Sequence, residues 1–371
     1  MARENGGAMF YLEHRFYGES IPTSDLSTRN LATHSSRQAI EDIRQFYNWL
    51  RTSEFYSKSK LVLMGCSYSA SLSMFTKQIY PNMVTAVYAT SGPLLSTFDM
   101  YQYMEVVTSY IRRVNPQCNN IIMGAIQTME SMYLNGQKDR LHQLFSVCRS
   151  SQVQEPLDRA AFFLRFIYHF ANMVQSASST VTSQCQRLTN AQGTTNLDKF
   201  VSYFAVPANQ CTSGVFAHHP PGFLNTNKDQ SSRSWLWQQC NEFGWFITTA
   251  GNNQVYGSSV RPSMHYALCR AVFGNAGQSD AQLNAKVTAT NSNYNVNPGK
   301  GAGLKNIAFL YSSDDPWAPM GYNMLPNSQT RMLRIEGGGH CADMSSSSAS
   351  DSASMRNAKN TARALIKQWL Q

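Results

Sequence analysis

Residues 65–69 read Gly-Cys-Ser-Tyr-Ser, so that Ser67 stands between two small residues, each two positions away. The apolar run 61–64 precedes this segment and predicts a buried strand, and a helical pattern follows it. A tight turn between a strand and a helix exposes a serine hydroxyl as a nucleophile, and its crowded backbone requires small neighbours. Ser67 is therefore a candidate nucleophile. On this motif alone, an ordinary turn serine is the alternative.

A serine hydroxyl needs a histidine to take its proton and an acid to orient that histidine. Asp314 and Asp315 follow an apolar run at 306–313, and His340 follows the next such run in a glycine-rich loop. Loops after neighbouring parallel strands project from the same edge of a sheet, so these side chains can converge on Ser67. The other seven histidines are expected to be surface or structural residues, with His14 the least certain of them.

The segments that must position these residues alternate between strand and helix patterns, which indicates an α/β fold with a mostly parallel sheet. Helices are predicted at 35–54, at 71–80 before Pro81, and at the C-terminus. Strands are predicted at 8–13, 60–65, 83–93, 306–313 and 330–338.

Residues 98–290 break this alternation with longer helical patterns and hold six of the eight cysteines. A clustered, even number of cysteines favours disulfides and a secretory compartment, although buried thiols are the alternative. We therefore expect three regions: a first part at 1–96, a helical insertion at 97–290 and a second part of the first domain at 291–371.

The composition excludes several classes of protein. The net charge is +9, but the basic residues are scattered, so we expect no nucleic-acid partner. No apolar run reaches the ~18–20 residues that a membrane span requires. The absence of a C-x-x-C pair argues against a zinc ribbon or a thioredoxin-type site.

Seven segments together resemble peptidase family S28, the serine peptidases that include prolyl carboxypeptidase and dipeptidyl-peptidase II. The resemblance is strongest to the thymus-specific serine protease branch. The segments follow the family order along the whole chain and lie at 13–22, 35–43, 65–75, 233–246, 268–274, 314–317 and 337–344.

This resemblance implies an α/β-hydrolase fold with an inserted helical, disulfide-containing cap domain. It implies Ser67 as nucleophile, Asp315 rather than Asp314 as acid and His340 as base, with an acyl-enzyme intermediate. The backbone N–H of Tyr68 would contribute to the oxyanion hole. The expected activity is exopeptidase cleavage of short peptides after proline or a small residue, of carboxypeptidase or dipeptidyl-peptidase type.

A preference for proline implies a compact apolar pocket, for which Trp317 and Met344 are candidate walls because they lie next to the acid and the histidine in sequence. Core packing is the alternative for both. We expect a peptide substrate, no metal or cofactor and a secreted or lysosomal protein. A homodimer is a possible assembly.

The cysteines divide into two groups. Spacing suits a disulfide between Cys240 and Cys269. Among the 15 pairings of six cysteines, the analogy of order favours two more, Cys118–Cys185 and Cys148–Cys211. Cys66 and Cys341 adjoin the predicted nucleophile and base and are expected to be free thiols. A cysteine nucleophile at position 66 is disfavoured, because the turn presents Ser67 at its apex.

The sequence also departs from the family pattern. Family members begin with a leader and early strands, so we expect that this chain is N-terminally truncated. One oxyanion-hole donor would then be missing, and a sheet edge would be uncovered. The alternative function is therefore that of a truncated or inactive homologue that acts as a non-catalytic binding protein. An esterase or lipase of the same fold is a third hypothesis.

Overall fold

The computed structural model describes residues 1–149, 154–176, 178–274, 277–296, 304–321 and 330–371. Its strands are β1 (Leu61–Cys66), β2 (Val84–Thr90), β3 (Ile307–Ser312) and β4 (Thr330–Ile335). Its helices are α1 (Ser36–Arg51), α2 (Tyr68–Ile79), α3 (Gln102–Val114), α4 (Pro116–Leu134), α5 (Lys138–Leu144), α6 (Leu157–Ser176), α7 (Ser178–Thr189), α8 (Asn196–Tyr203), α9 (Pro221–Leu224), α10 (Ser231–Gln238), α11 (Pro262–Phe273), α12 (Asp280–Asn293) and α13 (Ala353–Trp369).

The four strands form one parallel sheet in the order β1-β2-β3-β4. The register aligns Leu63 with Val87, Val87 with Ile307, and Ile307 with Thr330. All four strands therefore end at one edge of the sheet, and the loops that follow them leave from that edge.

Helices cover this sheet. Buried residues of α13, among them Ala362 and Ile366, pack against Tyr88 and Leu310 on one face of the sheet. Because side chains alternate along a strand, Val87 points to the opposite face, where it is also buried. Helix α2 packs against β1 and β2.

The chain divides into two compact units. The first comprises residues 1–97, 226–244 and 281–371 and contains the whole sheet, and the second comprises residues 98–225 and 245–280. This division differs from the continuous insertion at 97–290 that the sequence predicts, because two of its stretches, 226–244 and 281–290, pack with the first unit. That the second unit acts as a cap stays a prediction.

The second unit is helical and is held by aromatic packing and disulfides. Phe145, Phe166 and Phe200 meet edge to face with ring centroids 5.0–6.2 Å apart. The predicted pairs Cys118–Cys185 and Cys148–Cys211, which lie within this unit, are confirmed. Cys240, which belongs to the first unit, and Cys269 are each disulfide-bonded as well.

The strand predicted at 8–13 is wrong. These residues are irregular, and Phe10 and Tyr11 are 45% and 88% exposed. A strand is stable only when its backbone groups pair with a neighbour, and this segment does not join the edge strand β1. Among the described residues, none of the helices combines the length and the hydropathy that crossing a membrane requires.

Candidate active site

Ser67 occupies the turn between β1 and α2 and has a backbone φ of 58° and ψ of −133°. A positive φ is uncommon for a residue other than glycine, and the surrounding structure must enforce it. Gly65 allows the turn to close, since a Cβ at this position would lie 2.2 Å from the carbonyl oxygen of Ser69. The sequence motif thus folds into the sharp strand–turn–helix that raises a serine above a sheet.

Asp315 and His340 form a pair at the same edge of the sheet. Nδ1 of His340 donates to Oδ1 of Asp315 at 2.9 Å, and the backbone N–H of Trp317 donates to the same oxygen at 3.0 Å. Asp315 is fully buried, so its carboxylate is shielded from water. This hydrogen bond leaves Nε2 of His340 as the nitrogen that can take a proton.

A disulfide between Cys66 and Cys341 joins the serine turn to the histidine loop, so the prediction that both cysteines are free thiols is wrong. Their Cα atoms are 5.8 Å apart across a sequence separation of 275 residues. Spacing along a chain cannot reveal such an approach, because tertiary packing brings the two loops together. None of the eight cysteines, all of which lie in the described ranges, is free.

This disulfide limits how far Ser67 can lie from His340. Since consecutive Cα atoms are 3.80 Å apart, the Cα atoms of these two residues are at most about 13 Å apart. A ring nitrogen of His340 and the sulfur atoms of Cys66 and Cys341 all lie within 4.8 Å of one another. Zinc binds thiolates, so two sulfurs bonded to each other do not offer it a site.

Ser67 Oγ and His340 make no hydrogen bond within the part of the chain that the structure describes. Hydrogen bonds of this kind are often long or poorly aligned before substrate binds.

The side chain of Tyr68 lies in a hydrogen-bonded network behind the turn. Nδ1 of His14 lies 2.6 Å from the carbonyl oxygen of Arg15, which can only accept, so Nδ1 carries the proton. Nε2 of His14 therefore accepts from the Tyr68 hydroxyl at 3.0 Å, and Nε2 of Gln238 donates to that hydroxyl at 2.9 Å. Burial lowers the pKa of His14 and raises that of Tyr68 well above its ordinary value, so both are neutral.

Glu242 adds a partly buried carboxyl group to this region. Its oxygens accept hydrogen bonds from the backbone N–H and the hydroxyl of Ser36, at the first turn of α1. Burial raises the pKa of Glu242 to about 7, and the hydrogen bonds from Ser36 oppose this shift. This group therefore changes its charge near neutral pH.

A recess of about 500 Å³ opens at Ser67, and its surface is mostly apolar. Its walls are His14, Tyr17, Tyr68, Ser231, Ser232 and Trp235. The sequence predicts no binding role for His14 or Trp235, although both lie in segments that carry the family resemblance. His14 and Trp235 come close to Ser67 only through tertiary packing, and the spacing of their segments along the chain does not predict it.

The two residues predicted to line the substrate pocket lie in different places. The Trp317 ring is 6.0 Å from the His340 ring, next to the Asp315–His340 pair. Met344 is 44% exposed and lines a larger groove that runs along β1 and α13 rather than the recess at Ser67. A role for either residue in binding substrate stays a prediction.

A parallel sheet with a serine on a strand–helix turn and an Asp–His pair at the same edge is the arrangement of the α/β-hydrolase class. Comparison with known proteins agrees with this class. The family model described as Serine carboxypeptidase S28 matches residues 1–362.

Individual relatives cover nearly the whole chain. K12H4.7, a Caenorhabditis elegans protein with a provisional serine protease name, is 31% identical over an alignment of 409 residues. The alignment covers 100% of this chain and 76% of that protein. The mouse thymus-specific serine protease is 27% identical over 393 residues, which cover 99% and 75%. An Arthroderma benhamiae protein named probable extracellular serine carboxypeptidase is 23% identical over 375 residues, which cover 86% and 50%.

The chain belongs to the serine carboxypeptidase S28 family, and it is a serine peptidase with the α/β-hydrolase fold. The resemblance stated from its sequence segments is confirmed.

Proposed function

We propose that the protein is a serine exopeptidase that hydrolyses short peptides after proline or a small residue. Ser67 is the nucleophile, His340 the general base and Asp315 the acid that orients it. The observation that carries this proposal is the positive φ of Ser67 on the β1–α2 turn. The Asp315–His340 hydrogen bond, at the same edge of the sheet, supports it.

In the proposed mechanism, His340 takes the proton from the Ser67 hydroxyl as the oxygen attacks the scissile carbonyl carbon. His340 then gives this proton to the leaving amine, and an acyl-enzyme remains on Ser67. Water, activated by the same imidazole, releases the acyl group and regenerates the serine. Buried Asp315 stabilises the imidazolium that forms in each half of the reaction.

The oxyanion of each tetrahedral intermediate is bound by the backbone N–H of Tyr68. Tyr68 is the first residue of α2, so its N–H has no partner within the helix. The positive end of the helix dipole favours negative charge at this position. The network with His14 and Gln238 holds the side chain of the residue that supplies this donor.

The helical second unit serves in this proposal as a cap that restricts the site to short peptides, and Trp317 contributes to the pocket for proline. The proposal includes both carboxypeptidase activity, which recognises the C-terminus of the peptide, and dipeptidyl-peptidase activity, which recognises its N-terminus. The disulfides, together with the extracellular fungal relative, support a secreted protein; a lysosomal location is the alternative.

The test is hydrolysis of two matched peptide series by the purified protein. One series carries a reporter after an N-terminal X-Pro dipeptide, and the other is N-blocked and ends in Pro-X. We expect turnover of one series and not of the other, which distinguishes dipeptidyl-peptidase from carboxypeptidase activity. Peptides with a bulky residue in place of proline should react more slowly.

Two variants control this experiment. Ser67→Ala should abolish turnover. Ser73→Ala should keep it, since Ser73 lies six residues further along the chain, within α2, and its hydroxyl donates to the Ser69 carbonyl oxygen. A well-folded wild type that binds these peptides without cleaving them would instead support a non-catalytic binding protein.

A further inference from the structure

The Cys66–Cys341 disulfide has an unusual position for a structural cross-link. Cys66 directly precedes Ser67 at the end of β1, and Cys341 directly follows His340. It thus joins the two loops between which the proposed proton transfer takes place. Its sulfur atoms lie within 4.8 Å of a ring nitrogen of His340.

The loop 337–344, which carries His340, has other anchors, but none of them reaches the serine turn. The backbone N–H of Cys341 donates to Ser91 Oγ at 2.9 Å. The buried carboxylate of Asp343 accepts hydrogen bonds from Tyr88 and Thr90. Three partners therefore belong to β2 or to the residue that follows it, while Asp315 follows β3.

Among the hydrogen bonds, ion pairs and disulfides of the described residues, the Cys66–Cys341 bridge is the one direct link from this loop to the β1–α2 turn. The turn follows the edge strand of the sheet, which is paired on one side to β2. On the other side of the imidazole, Gly337 and Gly338 have φ values of 74° and 88°, which glycine adopts readily. The N–H of Gly337 donates to Ser313 Oγ at 2.9 Å, so this end of the loop is fixed to the segment after β3 and not to the serine turn.

We propose that the Cys66–Cys341 disulfide is a positioning element that keeps the His340 imidazole in reach of the Ser67 hydroxyl, so that its reduction switches peptide hydrolysis off while the fold persists. This inference rests on the proposed roles of Ser67 and His340. Cys66 and Cys341 are positioning residues, because neither acts on substrate.

The physical reason is the steep dependence of proton transfer on distance. Without the bridge, the remaining anchors join the loop to the serine turn indirectly, through β2: the Ser67 N–H donates to the Thr90 carbonyl oxygen at 3.0 Å, and the Thr90 hydroxyl donates to Asp343. This path holds His340 less tightly against the serine turn than a covalent bond beside both residues does. A misplacement of about 1 Å at a reacting group costs roughly 10²-fold in rate. The fold does not depend on this bridge alone, because the sheet and α13 retain their packing.

The switch is a two-electron thiol–disulfide exchange with a dithiol reductant. One thiolate of the dithiol attacks a sulfur of the bridge and forms a mixed disulfide. Its second thiolate then closes an intramolecular disulfide in the reductant. Cys66 and Cys341 leave as thiolates and take up protons, so the dithiol is oxidised by the two electrons that the protein gains.

The exposure of the bridges favours reduction of Cys66–Cys341 over reduction of Cys118–Cys185. Cys66 and Cys341 are both partly exposed, whereas Cys118 and Cys185 in the second unit are fully buried. The Cys148–Cys211 bridge is also accessible, because Cys211 is exposed. Alkylation of the new thiols followed by peptide mapping identifies which bridge has opened.

The first experiment compares two double variants of the full chain with the wild type. Cys66→Ala/Cys341→Ala should lower kcat roughly 10²-fold with little change in KM, and should slow fluorophosphonate labelling of Ser67 to the same extent. Cys118→Ala/Cys185→Ala, the matched control, should unfold at a lower temperature but keep its kcat below that temperature. Wild-type kcat in the first variant would overturn the proposal.

The second experiment does not require a variant to fold. The oxidised wild type is treated with dithiothreitol, and activity, far-UV circular dichroism and the alkylation map are followed together. Activity should fall as Cys66 and Cys341 become alkylated, with the helical signal retained, and should return on reoxidation. Activity that falls only together with the helical signal would overturn the positioning role.

The same assays separate this inference from the proposed function. If the wild type hydrolyses peptides and the bridge can be opened at no loss of activity, the positioning role is refuted and the peptidase assignment stands. If the folded, fully oxidised wild type neither hydrolyses peptides nor labels at Ser67, the proposed function is refuted, and the positioning role with it.

Discussion

Replacement of Gly65 by alanine should disable the site through a displacement of the serine turn. The new Cβ would lie 2.2 Å from the carbonyl oxygen of Ser69, a contact that must open past 3.0 Å. Helix α2 would therefore have to move about 0.8 Å away from β1, and the obstructing atoms are backbone rather than a flexible side chain. The Ser67 hydroxyl and the Tyr68 N–H both move with α2.

A shift of about 1 Å lowers turnover by roughly 10²-fold, and overpacking of this kind costs about 1–3 kcal/mol of stability. We expect Gly65→Ala to lose kcat on the reporter peptides, to label slowly with fluorophosphonate and to unfold at a lower temperature.

Gly222→Ala is the matched control, since a Cβ at Gly222 meets no atom within 4 Å. This variant should retain both turnover and thermal stability. A Gly65→Ala protein that turns over peptide at the wild-type rate would refute the role of the turn, whatever its stability.

Three further changes have defined outcomes. Asp315→Asn should lower kcat by roughly 10⁴-fold, because an amide does not stabilise the imidazolium, and wild-type kinetics would contradict the role of this acid. Burial raises the pKa of Glu242 from 4.5 to about 7, because the folded state favours the protonated carboxyl group. The free energy of unfolding should therefore fall by up to about 3 kcal/mol as the pH rises from 4.5 to 7. Denaturant titrations should show that Glu242→Gln removes this fall, and an unchanged pH profile would refute it. The Cys118–Cys185 bridge closes a separation of 67 residues, so its removal should lower the free energy of unfolding by about 4 kcal/mol in the chain-entropy model. A Cys118→Ala/Cys185→Ala protein that unfolds at the same denaturant concentration as the wild type would contradict this stabilising role.

The sequence predicts the elements whose signals are local. The apolar period and the Ser35 cap predict α1, and the side chain of Ser35 accepts from the backbone N–H of Gln38 as a cap should. Short apolar runs between turn residues predict the strands β1 to β4 to within a few residues. The sequence predicts the start of α2 at residue 71, whereas the helix begins at Tyr68, directly after the strained turn at Ser67.

The parts that escape prediction depend on contacts between distant segments. The Cys66–Cys341 bridge requires the ends of two strands to meet, and nothing in the spacing of the cysteines encodes this approach. The recess at Ser67 draws its walls from three separate stretches of chain. The strand expected at 8–13 has the right composition, but a strand forms only where a partner edge accepts its hydrogen bonds.

The most direct test of the central claim is to map the site of covalent labelling by a fluorophosphonate probe. The intact, oxidised protein is labelled, digested and analysed by mass spectrometry, beside Ser67→Ala and Ser73→Ala. We predict a single adduct on Ser67 in the wild type and in Ser73→Ala, and none in Ser67→Ala. An adduct that persists in Ser67→Ala, or that maps to another residue in the wild type, would contradict the account.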